Sequence, residues 1–255
     1  MLNKLLSIVH PWLIKTLGRD RLEYVASNTT NEVTKKIDPF IWTYGCKAKV
    51  VEIRQETEDS KTFVLLPNQH FMTPIAGQHI ELTLNGSSFD QPISRCYTLS
   101  EISTQTVSIT VKLKPEGAVS SWLHNHAEVG MVFDISLPRG KFFHRDQRDV
   151  LFISAGSGIT PAFSMINSLL DNSNTADACQ IGLFYRTQAP ENTIFSGRLA
   201  ELEASNKNLK LELSFSRLPV DIVTPSFIDQ LIAVPYKNLT RPTKSKESST
   251  VVGDH

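Results

Sequence analysis

The chain predicts two structural domains in series: an antiparallel β-barrel, then a parallel, three-layer α/β domain. Two observations predict that order. Between residues 46 and 136 short stretches of strand character recur, separated by turn signals such as Asn85-Gly86. After Val150 the pattern changes to strands alternating with helical segments. A third observation marks the join. Val150-Leu151-Phe152-Ile153-Ser154 is an apolar run suited to a strand buried on both faces, and Ala155-Gly156-Ser157-Gly158-Ile159-Thr160-Pro161 follows it.

Composition bounds the rest. A chain of 255 residues with 40% hydrophobic and 20% charged residues has the make-up of one large or two ordinary globular domains. Its net charge of +0 gives no basic surface that would argue for nucleic acid. Cys46, Cys96 and Cys179 lie far apart. They form neither a disulfide framework nor a zinc or iron–sulfur spacing, which fits a reducing cytoplasm. His124 and His126, two apart on a helical stretch, do not face each other, so no metal site is expected. No apolar run is long enough to cross a membrane.

Leu2, Leu5, Leu6, Val9, Leu13 and Leu17 recur at spacings of three and four, interrupted at Pro11. This is an amphipathic helix expected to pack on the protein. Membrane contact through residues 1–20 is the lesser reading. Residues 26–36 are polar and read as a linker, so residues 1–45 form an N-terminal extension.

The barrel is expected over residues 46–146, with strands at 48–53, 62–66, 79–84 and 107–111 and one helix at 119–125. In Ser94-Arg95-Cys96-Tyr97-Thr98-Leu99-Ser100, alternation sets Arg95, Tyr97 and Leu99 on one face and Cys96, Thr98 and Ser100 on the other. An arginine here can pair a phosphate, and a tyrosine two residues on can lie flat against an aromatic ring. Gly117-Ala118-Val119-Ser120-Ser121 places a glycine and serines at a helix start, which suits a phosphate or serves as an ordinary cap.

The α/β domain is expected over residues 147–236, with strands at 150–154, 181–185 and 209–215 and helices at 161–170, 195–202 and 226–232. Gly156 and Gly158 permit a tight turn with uncovered N–H groups, and Pro161 stands where a helix begins. Strand, glycine turn and helix N-terminus together form an anion site at the carboxyl end of a parallel strand. Arg186 and Arg217, at the ends of the next two strands, would face the same ligand. Residues 237–255 are polar, and disorder is expected there.

The order of these clusters carries more than any one of them. A barrel with Arg95-x-Tyr97-Thr98, then Gly117-x-x-Ser120 before a helix, then Pro138-Arg139-Gly140-Lys141-Phe142, then the Gly156 to Pro161 turn resembles the ferredoxin–NADP reductase superfamily. The likeness is greatest to the flavin reductase components of bacterial oxygenases and fatty-acid desaturases, and it spans roughly residues 46–232.

That resemblance implies a six-stranded flavin-binding barrel, with FAD as the cofactor and FMN as the alternative. It implies that Arg95 pairs with the flavin phosphate and that Tyr97 packs on the ring system or meets the ribityl chain, with Cys96 between them. Thr98 takes the position of the hydroxyl near flavin N5. Gly117, Val119, Ser120 and Ser121 would meet phosphates at the helix start. Gly156, Ser157, Gly158, Ile159, Thr160 and Pro161 would hold the pyrophosphate of a nicotinamide dinucleotide, with Thr160 beside the nicotinamide. Thr98 and Thr160 are then the candidate catalytic pair. Arg186, Ser216 and Arg217 would take a 2′-phosphate, which favours NADPH over NADH. The implied activity is transfer of electrons from NAD(P)H through flavin to a one-electron acceptor: a ferredoxin, an oxygenase or a desaturase. The alternative is a module that binds flavin or a partner without NAD(P)H turnover.

The chain departs from the family pattern in two respects. No Cys-Gly-Pro motif ends a further strand, and no closely spaced cysteines announce a [2Fe–2S] domain. The expectation is a C-terminally truncated α/β domain with an open sheet edge that lowers solubility or lets copies associate.

Overall fold

The computed structural model describes residue 40 and residues 45–85, 91–144, 149–171 and 179–216. The N-terminal helix and linker, the helix expected at 226–232, Arg217 and the polar tail lie outside the described residues.

Six antiparallel strands close into a barrel: β1 (Lys47–Thr57), β2 (Ser60–Pro67), β3 (His79–Leu84), β4 (Ile93–Ile102), β5 (Val107–Lys112) and β6 (Val132–Ile135), in the spatial order β1-β2-β5-β4-β3-β6. Closure leaves no free edge within it. Strict alternation in β3 turns Ile80, Leu82 and Leu84 inward, where they meet Val50, Phe63, Leu65, Leu99 and Ile109. Helix α1 (Ala118–His126) adds Val119 and Leu123 to the same core. Lys47 and Asp134 pair across β1 and β6, where the barrel closes.

The sequence reading stopped β1 at residue 53, yet the strand runs to Thr57. Register shifts between Val50 and Glu52 and between Gln55 and Thr57 explain the difference, because bulges bend the strand round the barrel and break its polar–apolar alternation. The four-residue β6 was not anticipated. It is too short to carry a pattern of its own and is recruited by pairing with β1 and β3.

The second layer system is a parallel sheet of β7 (Val150–Ala155), β8 (Ile181–Thr187) and β9 (Leu209–Phe215), in that order. Helices α2 (Ile159–Asp171) and α3 (Ser196–Ser205) make the crossovers. Phe152, Leu183, Tyr185 and Leu209 form a core with Ile159, Phe163, Ile166 and Leu199 of the helices. Against the expectation of burial on both faces, β7 is buried on one face only among the described residues: Leu151 and Ile153 are exposed, at 37% and 74%, because β7 is an edge strand of the three. α2 begins two residues before the expected proline, after a 3-10 turn at Gly156–Gly158. Pro161 therefore sits inside the first helical turn. It is tolerated there because the N–H groups of that turn have no intrahelical partner.

Helix α2 also packs against β4, and the N–H of Gly77 donates to Ser164 Oγ at 3.4 Å. The strand carrying Arg95, Tyr97 and Thr98 is thus held directly against the helix that starts at the glycine turn.

Candidate functional site

In β4 the face predicted to carry Arg95, Tyr97 and Leu99 runs into the barrel interior. Leu99 is fully buried, Tyr97 packs half-buried on the core, and Arg95 is exposed further along the strand. Arg95 lies opposite Leu82 and Tyr97 opposite Ile80. One guanidinium nitrogen of Arg95 donates to the Ser94 carbonyl at 2.7 Å. Burial pushes the Tyr97 phenol up to about 12, with the charge of Arg95 opposing, so the hydroxyl stays protonated and can donate. Cys96 is exposed and Thr98 half-buried on the other face.

At the start of α1, Gly117 is the N-cap and supplies no side-chain cap. A Cβ at this position would lie 2.5 Å from Ser120 Oγ and 3.1 Å from Lys114 Cβ and the Lys114 carbonyl oxygen. Glycine is what the tight turn permits. Ser120 and Ser121 turn their hydroxyls back onto the turn: Ser120 Oγ donates to the Gly117 carbonyl at 3.3 Å and Ser121 Oγ to the Lys114 carbonyl at 3.0 Å. Val119 buries its side chain in the barrel core, at 1% exposure, so only its backbone faces the helix start. The first N–H groups of α1 are thereby left without a side-chain acceptor at a positive dipole end.

The glycine turn is braced from below. Gly156 has φ +51° and accepts a hydrogen bond at its carbonyl from the hydroxyl of Tyr185, 3.0 Å away. Tyr185 is fully buried, and burial raises its phenol far above the ordinary value. Thr160 Oγ1 donates to the Ser157 carbonyl at 3.2 Å. A Cβ at Gly156 or Gly158 would meet nothing within 4 Å among the described residues, so the turn is uncrowded by them. Tyr185→Phe is expected to cost about 1 kcal/mol of stability, the net worth of one hydrogen bond, without changing the fold; urea unfolding of the two proteins measures it.

The predicted residues divide between two clefts. Gly156, Ser157, Arg186 and Ser216 line a groove of about 460 Å³ together with Lys112, Thr187, Gln188 and Asn192. Gly158 and Pro161 instead line a smaller cleft of about 300 Å³ with Phe142, Phe143 and His144. Ile159 and Thr160 are buried in the helix start, at 0% and 7% exposure. Arg217 lies outside the described residues.

Lys112 and Asn192 were not singled out from sequence. Lys112 closes the barrel strand β5 and is held by Asp59 Oδ2 at 3.0 Å. Burial opposes the Asp59 charge, but Lys112 and the hydroxyls of Thr57 and Ser60 outweigh it and hold the carboxyl below its usual value. The one available sequence signal is a lysine ending a strand five residues before Gly117. Asn192 follows β8 in a 3-10 turn and has a buried side-chain oxygen with no hydrogen-bond partner among the described residues. An unpaired buried acceptor at a groove lined by Arg186, Lys112 and an open glycine turn fits a ligand bearing both phosphates and hydroxyls. The uncapped α1 turn fits a second phosphate group.

Comparison with known proteins identifies the two domains. Residues 47–144 match the oxidoreductase FAD-binding domain and residues 152–220 the oxidoreductase NAD-binding domain. The glycine betaine monooxygenase reductase subunit of Pseudomonas aeruginosa is 30% identical over 203 residues, which cover 76% of this chain and 52% of that protein. The ferredoxin reductase component of 3-ketosteroid-9-alpha-monooxygenase from Mycolicibacterium smegmatis is 31% identical over 177 residues, covering 66% and 48%. The chain thus spans about half the length of the curated relatives it matches. Among solved structures, the FAD/NAD-binding domain of nitric oxide dioxygenase from Vibrio cholerae shares the fold, with a TM-score of 0.62, 22% identity and coverage of 75% and 94%.

Proposed function

The chain belongs to the oxidoreductase family that joins an FAD-binding barrel to an NAD-binding α/β domain, and from that premise we propose that it is a reductase taking electrons from NADPH and passing them to an oxygenase-type partner. The observation that carries this reading is the single groove joining Lys112 of the barrel to Gly156, Ser157, Arg186 and Ser216 of the α/β domain. A nucleotide seated there touches both domains, so it is held where the barrel's own ligand can meet it.

The division of labour follows from the side chains. A flavin, when bound, supplies the chemistry that accepts a two-electron donor and releases electrons singly. Arg95 neutralises its phosphate, Tyr97 offers a flat face and a protonated hydroxyl, and Thr98 places a hydroxyl at the edge of the ring system. The N–H groups at the start of α1, shaped by Gly117, Ser120 and Ser121, hold a second phosphate. Gly156 and Ser157 receive the pyrophosphate of the nucleotide, and the exposed Arg186 and the hydroxyl of Ser216 flank the 2′-position. Thr160, tied to the Ser157 carbonyl, sets the turn where the nicotinamide end enters. The relatives named for glycine betaine and ketosteroid monooxygenases support an oxygenase component as the acceptor. Among the described residues no helix is long and apolar enough to cross a membrane.

The test is an anaerobic titration of the flavin-reconstituted protein with NADPH, followed by flavin absorbance. Bleaching at stoichiometric NADPH is expected. A flavin that stays oxidised with NADPH and with NADH would leave a binding module without turnover. Arg186→Ala is expected to raise the Kd for NADPH by about 10- to 100-fold, the worth of charge-assisted hydrogen bonds, while NADH affinity changes by less than about threefold. Equal losses for both nucleotides would remove Arg186 from the 2′-phosphate site.

A further inference from the structure

Arg198 of α3 sits where the two domains meet, with a partner on every side. Its Nη2 donates to Glu56 Oε1 of β1 at 2.6 Å, and its Nη1 donates to Glu101 of β4. The same guanidinium lies over the ring of Phe195, 4.5 Å from its centroid, and 5.1 Å from that of Phe163. Those two rings are stacked at 4.2 Å, so one cation grips two barrel carboxylates with one face of the α/β core behind it.

The carboxylates are themselves anchored. Glu56 Oε1 also accepts from Thr62 Oγ1 at 2.6 Å, Thr62 bonds to Thr110 at 2.8 Å, and the other oxygen of Glu101 receives Arg54. Phe195 holds a left-handed backbone, φ +65°, while only 1% exposed. A bulky residue keeps such a conformation only where its surroundings over-determine it.

The placement gives this joint a purpose. Glu101 lies three residues beyond Thr98 on β4, and Phe163 three residues beyond Thr160 on α2. Both ends of the joint are one short step along a rigid element from the two residues expected at the reacting centre. We propose that Arg198 is a positioning residue: it locks β4 to α2 and so sets the separation of flavin and nicotinamide. This rests on the reductase reading above. It predicts that loss of the joint slows the transfer between two bound cofactors without weakening either one's binding, because Arg198 is not among the residues assigned above to either cofactor and does not line the groove at the glycine turn.

The test uses the full chain carrying Arg198→Met, which keeps an unbranched apolar stem without the guanidinium, Arg198→Lys, which keeps charge, and Glu101→Gln, which removes one carboxylate charge. Calorimetric unfolding without added nucleotide reports domain coupling, and stopped-flow reduction at saturating NADPH reports transfer. For Arg198→Met, flavin and NADPH Kd values within twofold of wild type are expected, together with an at least tenfold slower limiting rate and an unfolding transition that splits in two. Arg198→Lys should recover part of the rate, and Glu101→Gln should show a smaller loss of the same kind. A limiting rate within twofold of wild type and a single unfolding transition in Arg198→Met would overturn the proposal. If that variant does not fold, the same two readings on Glu101→Gln decide. If wild type itself is not reduced by NADPH, the reductase reading fails and calorimetry alone decides the joint: a split supports it, and an unsplit transition overturns it.

Discussion

Replacing Gly77 with alanine is expected to lower the stability of the chain by roughly 3 kcal/mol. Gly77 has φ +94°, a conformation that costs an L-residue about 1–2 kcal/mol. A Cβ there would stand 2.2 Å from the carbonyl oxygen of Phe142 and 3.2 Å from its carbonyl carbon. Backbone cannot swing aside as a side-chain tip can, so the 140–143 segment must move, at a further cost of about 1–3 kcal/mol. The N–H of Gly77 also donates to Ser164 of α2, so the displacement reaches the contact between barrel and α/β domain. Urea unfolding measures the loss, and for a chain of this size the melting temperature should fall by roughly 6–12 °C. A loss below about 1 kcal/mol would mean that the Phe142 backbone yields freely and that the close approach is incidental.

Arg95→Ala is expected to release the flavin. The guanidinium is exposed at the end of the inward face of β4, and among the described residues its one hydrogen-bond partner is the neighbouring carbonyl of Ser94. A phosphate offers that cation a far stronger acceptor, and charge-assisted bonds of this kind are worth about 1.5–3 kcal/mol. The flavin Kd, read by fluorescence quenching on titration, should rise about 10- to 150-fold. The fold itself should be unaffected, since Arg95 contributes nothing to the buried core. Arg95→Lys should fall between the two, because a lysine keeps the charge and loses the planar fork. Unchanged flavin affinity in Arg95→Ala would take this residue out of the cofactor site and leave Tyr97 and the start of α1 to hold the group.

Patterning made some parts of the molecule legible and hid others. β3 and β9 stand at the residues that alternation and apolar content indicate, 79–84 and 209–215, because each strand is paired on its full length without a bulge. The end of β1 and the whole of β6 were hidden because barrel closure, not local preference, makes them strands. The glycine turn, Arg95, Tyr97 and Gly117 could be picked out as candidates because each sets a special backbone or side-chain chemistry at a fixed offset from an element boundary. Lys112, Asn192 and Arg198 carry no such mark. A lysine at a strand end, an asparagine in a turn and an arginine in a helix are ordinary residues until the chain brings Asp59 to Lys112 from 53 residues away, sets Gly156, 36 residues away, in one groove with Asn192, and brings Glu101 to Arg198 from 97 residues away.

The sequence by itself therefore determined the two-domain order and the oxidoreductase family and marked the two glycine turns as candidate anion sites, since these depend on residues within one strand–turn–helix of each other. Only the tertiary structure decided that the Gly156 to Pro161 motif divides between two clefts, that Lys112 joins the groove from the barrel side, and that Arg198 links Glu56 and Glu101 to the Phe163–Phe195 stack. The reason is physical. Hydrogen-bonding and conformational preferences act over a few residues and are written locally, whereas a groove or an ion pair between domains depends on distances that exist only after the barrel has closed and α2 has packed on β4.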